Sequence, residues 1–200
     1  DNMPPTITIS STTPGVSNGL TTNDATINLT FTSSKATTNF AVGDITVSGG
    51  TLSSFNPTSS TVYTATLTPT GSGTAVTQAT TVDVAQDKFT DAAGNGNITA
   101  TQFNWTYDNI PPTMTITSTT SGVTDGSTTN DASIELTFTS SESTTNFVAN
   151  NITVTGGTLS NFGAASGMGG PSTTIYTATL TPSGTGQRTQ ATTVDVAQDK

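Results

Sequence analysis

Ala25-Thr26-Ile27-Asn28-Leu29-Thr30-Phe31-Thr32 is the stretch that decides the fold. Its apolar residues fall at every second position with Thr or Asn between them, the pattern of a strand with one face in a core and one in water. The same alternation returns in Ala132, Ile134, Leu136 and Phe138. Tyr63, Ala65 and Leu67 carry it, as do Val82 and Val84, while Phe103, Trp105 and Tyr107 give a further strand an aromatic inner face. No apolar stripe at helical spacing accompanies them. Gly49-Gly50, Asn56-Pro57, Gly71-Ser72-Gly73 and Gly94-Asn95-Gly96 separate the runs and supply turns. Strands are expected at roughly 6–12, 24–33, 43–48, 51–55, 61–68, 79–89 and 98–107. That number and spacing specify an all-β fold of antiparallel two-sheet sandwiches. Strands running up and down bring loops 33–42, 56–60 and 90–97 to the end where the domain begins, and loops 13–23 and 69–78 to the opposite, exit end.

The stretch is one part of a long repeat. Asn2-Met3-Pro4-Pro5-Thr6 returns 107 residues later as Asn109-Ile110-Pro111-Pro112-Thr113. At the same shift Thr21-Thr22-Asn23-Asp24-Ala25 aligns with Thr128-Thr129-Asn130-Asp131-Ala132, and Asp44-Ile45-Thr46-Val47 with Asn151-Ile152-Thr153-Val154. A period of this size is a domain rather than a solenoid turn. Two domains are therefore expected, 1–108 and 109–200, the second carrying inserted Gly-rich residues at Gly163 to Pro171, where a loop tip tolerates them. Asp199-Lys200 corresponds to Asp87-Lys88, so the second copy is expected to lack its last strand. Further repeats in a longer chain supply that strand on one reading, and strand addition from a neighbouring molecule supplies it on another.

Composition narrows the function classes. Four Lys and Arg stand against 13 Asp and Glu, a net charge of -9, which sets the chain against phosphate backbones and anionic membrane surfaces. Nucleic acid is not an expected partner. No run approaches the roughly 20 apolar residues of a spanning helix, so membrane insertion is not expected either. With no Cys and no His, disulfides, thiolate metal sites and the commonest general base are absent. An enzyme is not expected, because no nucleophile or acid–base partner accompanies the carboxylates. Any bound metal must be hard and held by oxygen. About a quarter of the chain is Thr, a β-branched residue that suits strands.

Phe89-Thr90-Asp91-Ala92-Ala93-Gly94-Asn95, Thr51-Leu52-Ser53-Ser54-Phe55 after Gly49-Gly50, and the Asp-Asn-x-Pro-Pro-Thr start occur in order along the chain. With them the chain resembles the bacterial Ig-like repeats of giant surface adhesins and biofilm-associated proteins. The resemblance implies tandem immunoglobulin-like sandwiches in an extracellular, cell-surface stalk or filament, with calcium at domain junctions in some members. The partners it implies are neighbouring repeats of the same chain, with other copies of the protein or surface glycans as further candidates. A shared fold does not fix a role, and a carbohydrate-binding or accessory module of a secreted enzyme or phage fibre is the alternative function, motivated by the 163–171 insertion.

Two sets of oxygen side chains are candidates for calcium, which takes six to eight oxygens at about 2.3–2.6 Å. One is Asp108 and Asn109 beside Pro111-Pro112, with Glu142 from the second domain's entry-end loop and Asp24 just beyond the exit-end loop. The other is Asp91, Asn95 and Asn97, three oxygen side chains at alternating spacing. Each set has a plainer reading, in which Asx side chains bond their own backbone and Gly94 and Gly96 supply positive backbone angles in a hairpin. Lys35 stands where the second domain carries Glu142, and an ammonium beside Asp91 or Asp1 replaces a bound cation, so calcium is expected at the junction before the first domain's entry. Trp105 with Phe103 and Tyr107 reads as core rather than as a sugar-stacking platform. The Asn-x-Thr matches at Asn28, Asn97, Asn104 and Asn151 carry little weight in so Thr-rich a chain.

Overall fold

The computed structural model describes residues 2–167, 170–184 and 189–197. Asp1, Asp199 and Lys200 lie outside them. The chain divides into two compact units, Asp1–Ile110 and Pro111–Lys200.

In the first unit the alternating stretch forms β3 (Ile27–Ser33), with Ile27, Leu29 and Phe31 wholly buried. It lies between β1 (Ile7–Ser11) and β6 (Val62–Pro69), and β5 (Gly50–Pro57) closes the sheet beyond β6 in the order β1-β3-β6-β5. All three pairings are antiparallel; Phe31 stands opposite both Ile9 and Tyr63. The facing sheet takes β2 (Thr21–Thr22), β8 (Phe103–Asp108), β7 (Thr77–Val84) and β4 (Ile45–Ser48), in that order. One core joins the two sheets, with Leu29, Phe31 and Leu67 from the first meeting Val82, Phe103 and Trp105 from the second. Each such aromatic or aliphatic side chain contributes about 1.5–3 kcal/mol by leaving water. The unit is an immunoglobulin-like sandwich.

Two strand expectations are corrected, and one strand is added inside the expected loop 13–23. The strand expected over 79–89 is β7, which ends at Val84, because Asp87 turns to a φ of 58° and its N–H donates to the Asn97 carbonyl. The one expected over 98–107 begins only at Phe103; before it Ile98 donates its N–H to the Pro5 carbonyl and Ala100 to the Val84 carbonyl. Thr21–Thr22 adds a short strand that no alternation announces, parallel to β8 and fixed by the Thr106 N–H donating to the Leu20 carbonyl.

The second unit repeats the first sheet as β9 (Met114–Ser118), β10 (Ile134–Ser140), β13 (Gly170–Pro182) and β12 (Gly157–Gly167). The second sheet contains β11 (Ile152–Thr155) paired with β14 (Thr193–Val196). Phe138 and Ala178 are wholly buried, and Ile134, Val194 and Val196 are half-buried against them. The described inserted residues lengthen the β12–β13 hairpin to the pair Gly167 and Gly170, with a break in register between Ala164 and Ser166, and Met168 and Gly169 lie outside the described residues.

Both units turn from the third to the fourth long strand on a glycine that tolerates no side chain. Gly49 has a φ of 72°, and a Cβ there would sit 2.1 Å from the Ala79 carbonyl oxygen; Gly156 has a φ of 73° with the same atom 2.0 Å from the Ala191 oxygen. Gly49→Ala is expected to destabilise the first unit by about 3 kcal/mol, combining left-handed backbone strain with a clash against backbone. Trp105 is the chain's single Trp, so its fluorescence during urea unfolding reports that loss. A midpoint within error of wild type would show that the turn relaxes freely.

Candidate functional site

The loops between β3 and β4 and between β7 and β8 meet at one end of the first unit. Asn39 joins them, its Oδ1 accepting the Thr90 N–H at 3.1 Å and its Nδ2 donating to Thr90 Oγ1 at 3.3 Å. The Thr37 N–H donates to the Ser60 carbonyl and so brings in the β5–β6 loop. Within this cluster Asp91 is buried. Its Oδ1 accepts the backbone N–H groups of Ala93 and Asn95, each at 3.0 Å, as an Asx turn requires. Asn95 Nδ2 reaches both carboxylate oxygens, at 3.2 and 3.0 Å, and Lys35 Nζ lies 3.1 Å from Oδ2.

These donors hold the Asp91 carboxyl well below the usual carboxylate range, the Asn95 side chain first; burial opposes them, and the Asn95 backbone, Lys35 and the Ala93 backbone add to the lowering. A carboxylate whose pKa is depressed in the folded state stabilises that state above its unfolded pKa of about 3.9, and the benefit is lost as pH falls below that value. The first unit's melting temperature is therefore expected to stay level from neutral pH into the mildly acidic range and to fall in stronger acid, less steeply in Asp91→Asn. Melts followed by Trp105 fluorescence check it, and parallel acid profiles for the two chains would contradict it.

Asn97 is 1% exposed and its amide is fully engaged. Oδ1 accepts the N–H groups of Lys88 and Phe89 at 2.7 and 3.0 Å, and Nδ2 donates to the carbonyls of Ala85 and Ile98 at 2.8 and 2.9 Å. Asp91, Asn95 and Asn97 are thus neighbours along one loop but point to different work: the first two form a charged knot with Lys35, and the third pins the backbone.

The remaining candidates sit elsewhere. Asp108 Oδ1 accepts the Thr77 hydroxyl at 3.0 Å and the Ile110 N–H at 3.1 Å, while Asn109 Oδ1 accepts the Val76 N–H at 2.8 Å. Both therefore serve the end of β8. Asp24 Oδ2 accepts the Thr22 hydroxyl at 2.7 Å, and that hydroxyl oxygen accepts the Trp105 indole N–H at 3.0 Å. Glu142, in the second unit, is half-buried in the loop after β10, where its N–H donates to Ser140 Oγ at 3.4 Å. Among the described residues no three of His, Cys, Asp and Glu converge. Trp105 is 1% exposed, so its ring offers no platform to a sugar.

A two-sheet sandwich whose first sheet recurs at a domain-sized period agrees with the comparison of sequences: the bacterial Ig-like domain profile matches residues 1–107 and again 108–200. The chain belongs to the bacterial Ig-like domain family. Such domains are typically non-enzymatic. No curated protein sequence matches this bacterial Ig-like chain. Among solved structures it is similar to the Yersinia pseudotuberculosis adhesin InvE, with 20% identity, a TM-score of 0.26 and coverage of 89% of this chain and 51% of that one. It is also similar to domains 4–9 of surface layer protein SbsC, at 14% identity and the same TM-score of 0.26, covering 94% of this chain and 29% of that one. The chain thus spans about half of the first and under a third of the second. Similarity this low carries no argument about role. No helix among the described residues is long and apolar enough to cross a membrane.

Proposed function

We propose that the two Ig-like domains are spacer and adhesion repeats of an extracellular bacterial surface or filament protein. The observation that carries this reading is the repeat itself: the first sheet is built twice on corresponding residues, Phe31 opposite Tyr63 in one domain and Phe138 opposite Tyr176 in the other. Such a unit, copied with Pro111-Pro112 holding the connecting chain extended, converts sequence length into reach. A run of about ten strand residues at roughly 3.3 Å each adds on the order of 35 Å per domain. The net charge of -9 keeps copies apart in solution.

The surface reading itself is tested by antibodies raised against this chain on intact, unpermeabilised cells of the source bacterium. Labelling of the cell exterior, with weaker adhesion when the repeats are deleted from the full protein, is the expected result; antigen confined to the cell interior would overturn it. Glycan binding that disappears when the 163–171 extension is removed would favour the accessory-module reading instead.

A further inference from the structure

The first repeat holds an internal cation at its loop end. Lys35 comes from the loop after β3, and its Nζ donates to the Met3 carbonyl of the lead-in segment and to Asp91 Oδ2 of the β7–β8 loop at 3.1 Å. Three separate segments are thereby tied to one positive charge. The Asp91 side chain is 4% exposed and that of Lys35 25%, so water screens the attraction poorly. The other donors to Asp91 come from Ala93 and Asn95, which are neutral and orient the carboxylate without balancing its charge. A carbonyl and a carboxylate around a single positive centre are the hard oxygen donors that a divalent cation takes.

From this geometry we infer that the Lys35 ammonium occupies the seat of a bound cation, so that the loop end of the first repeat closes without metal. The sequence reverses the charge 107 residues later, where Glu142 follows Ser140 and Ser141 as Lys35 follows Ser33 and Ser34. Both residues take the same backbone bond, N–H to the hydroxyl two positions earlier, at 3.4 Å. One backbone position thus carries an ammonium in one repeat and a carboxylate in the other. The first repeat is indifferent to calcium whatever the second repeat does, and an acid placed at position 35 makes it dependent on the ion. This inference stands on the first repeat's own contacts and not on the spacer reading.

The test uses the whole chain with Trp105 fluorescence, which reports the first repeat alone because Trp105 is the only Trp. Wild type is expected to melt at the same temperature in millimolar calcium and in chelator. Lys35→Glu is expected to melt about 5 °C or more lower in chelator and to regain most of that in calcium. Lys35→Met keeps the aliphatic stem, and its lower melting temperature in chelator isolates the charge from the packing. The inference is overturned by calcium stabilisation of the wild-type first repeat, by a Lys35→Met chain that melts like wild type, or by a Lys35→Glu chain that calcium fails to rescue.

Discussion

Replacing Asn97 with alanine is expected to destabilise the first repeat by about 3–5 kcal/mol, although the residue lies in a loop rather than on a strand. Its side chain is the hydrogen-bond partner of four backbone groups, the N–H of Lys88 and Phe89 and the carbonyls of Ala85 and Ile98. A buried donor or acceptor left without a partner costs about 1–3 kcal/mol, and water entering the vacated space recovers part of the total. Asn97→Asp separates this role from metal binding. An aspartate keeps the two accepted bonds but turns an oxygen toward two carbonyl oxygens, so it is expected to be nearly as damaging as alanine. A cation ligand would behave in the opposite way, with the added charge strengthening binding and calcium raising the stability of the variant. Urea unfolding of both variants with calcium and with chelator distinguishes the two. An Asn97→Ala midpoint close to wild type would show that the loop does not depend on this side chain.

The parts of this fold that a sequence displays are those with a period. β3, β6 and β8 each bury one face and wet the other, so Ile27-x-Leu29-x-Phe31 and Phe103-x-Trp105-x-Tyr107 announce both strand and core. The 107-residue shift announces the copying. The segment from Ala85 to Gln102 has no period to read, since it is held by single contacts such as Asp87 N–H to the Asn97 carbonyl and Ala100 N–H to the Val84 carbonyl. β2 escapes notice for a related reason: two residues are too few to alternate, and the strand depends on Trp105, 83 positions away, which donates to Thr22.

The candidate site was legible in composition but not in direction. Asp91, Asn95 and Asn97 are the residue types that hold calcium and equally those that hold turns, and only the orientation of each oxygen separates the uses. Asp91 faces Lys35 and its own loop's N–H groups, and Asn97 faces the backbone of both loop strands. Lys35 was readable as a neighbour of Asp91 because an up-and-down order of strands brings their two loops to the same end. The third party in that contact, the Met3 carbonyl, is a backbone atom that no residue type signals.

Trp105→Ala is expected to cost the first repeat about 3–5 kcal/mol, the range for truncating a large buried aromatic side chain. The ring is 1% exposed between Phe103 and Tyr107 on the same strand face, and its centroid lies 6.2 Å from that of Tyr107. Truncation leaves a cavity that the flanking rings fill only by leaving their own rotamers. It also removes the indole N–H that reaches Thr22 Oγ1, whose hydroxyl in turn donates to Asp24. Trp105→Phe retains most of the volume and loses that bond, so about 1–2 kcal/mol is expected for it. Circular dichroism follows both variants in urea, since the fluorescent reporter is gone. The same measurements decide the role of the aromatic strand: a core residue gives a large loss for alanine and weak iodide quenching of wild-type Trp105. A surface platform for sugars gives a small loss and strong quenching, and that pair of results would remove Trp105 from the core and Asp24 from its service.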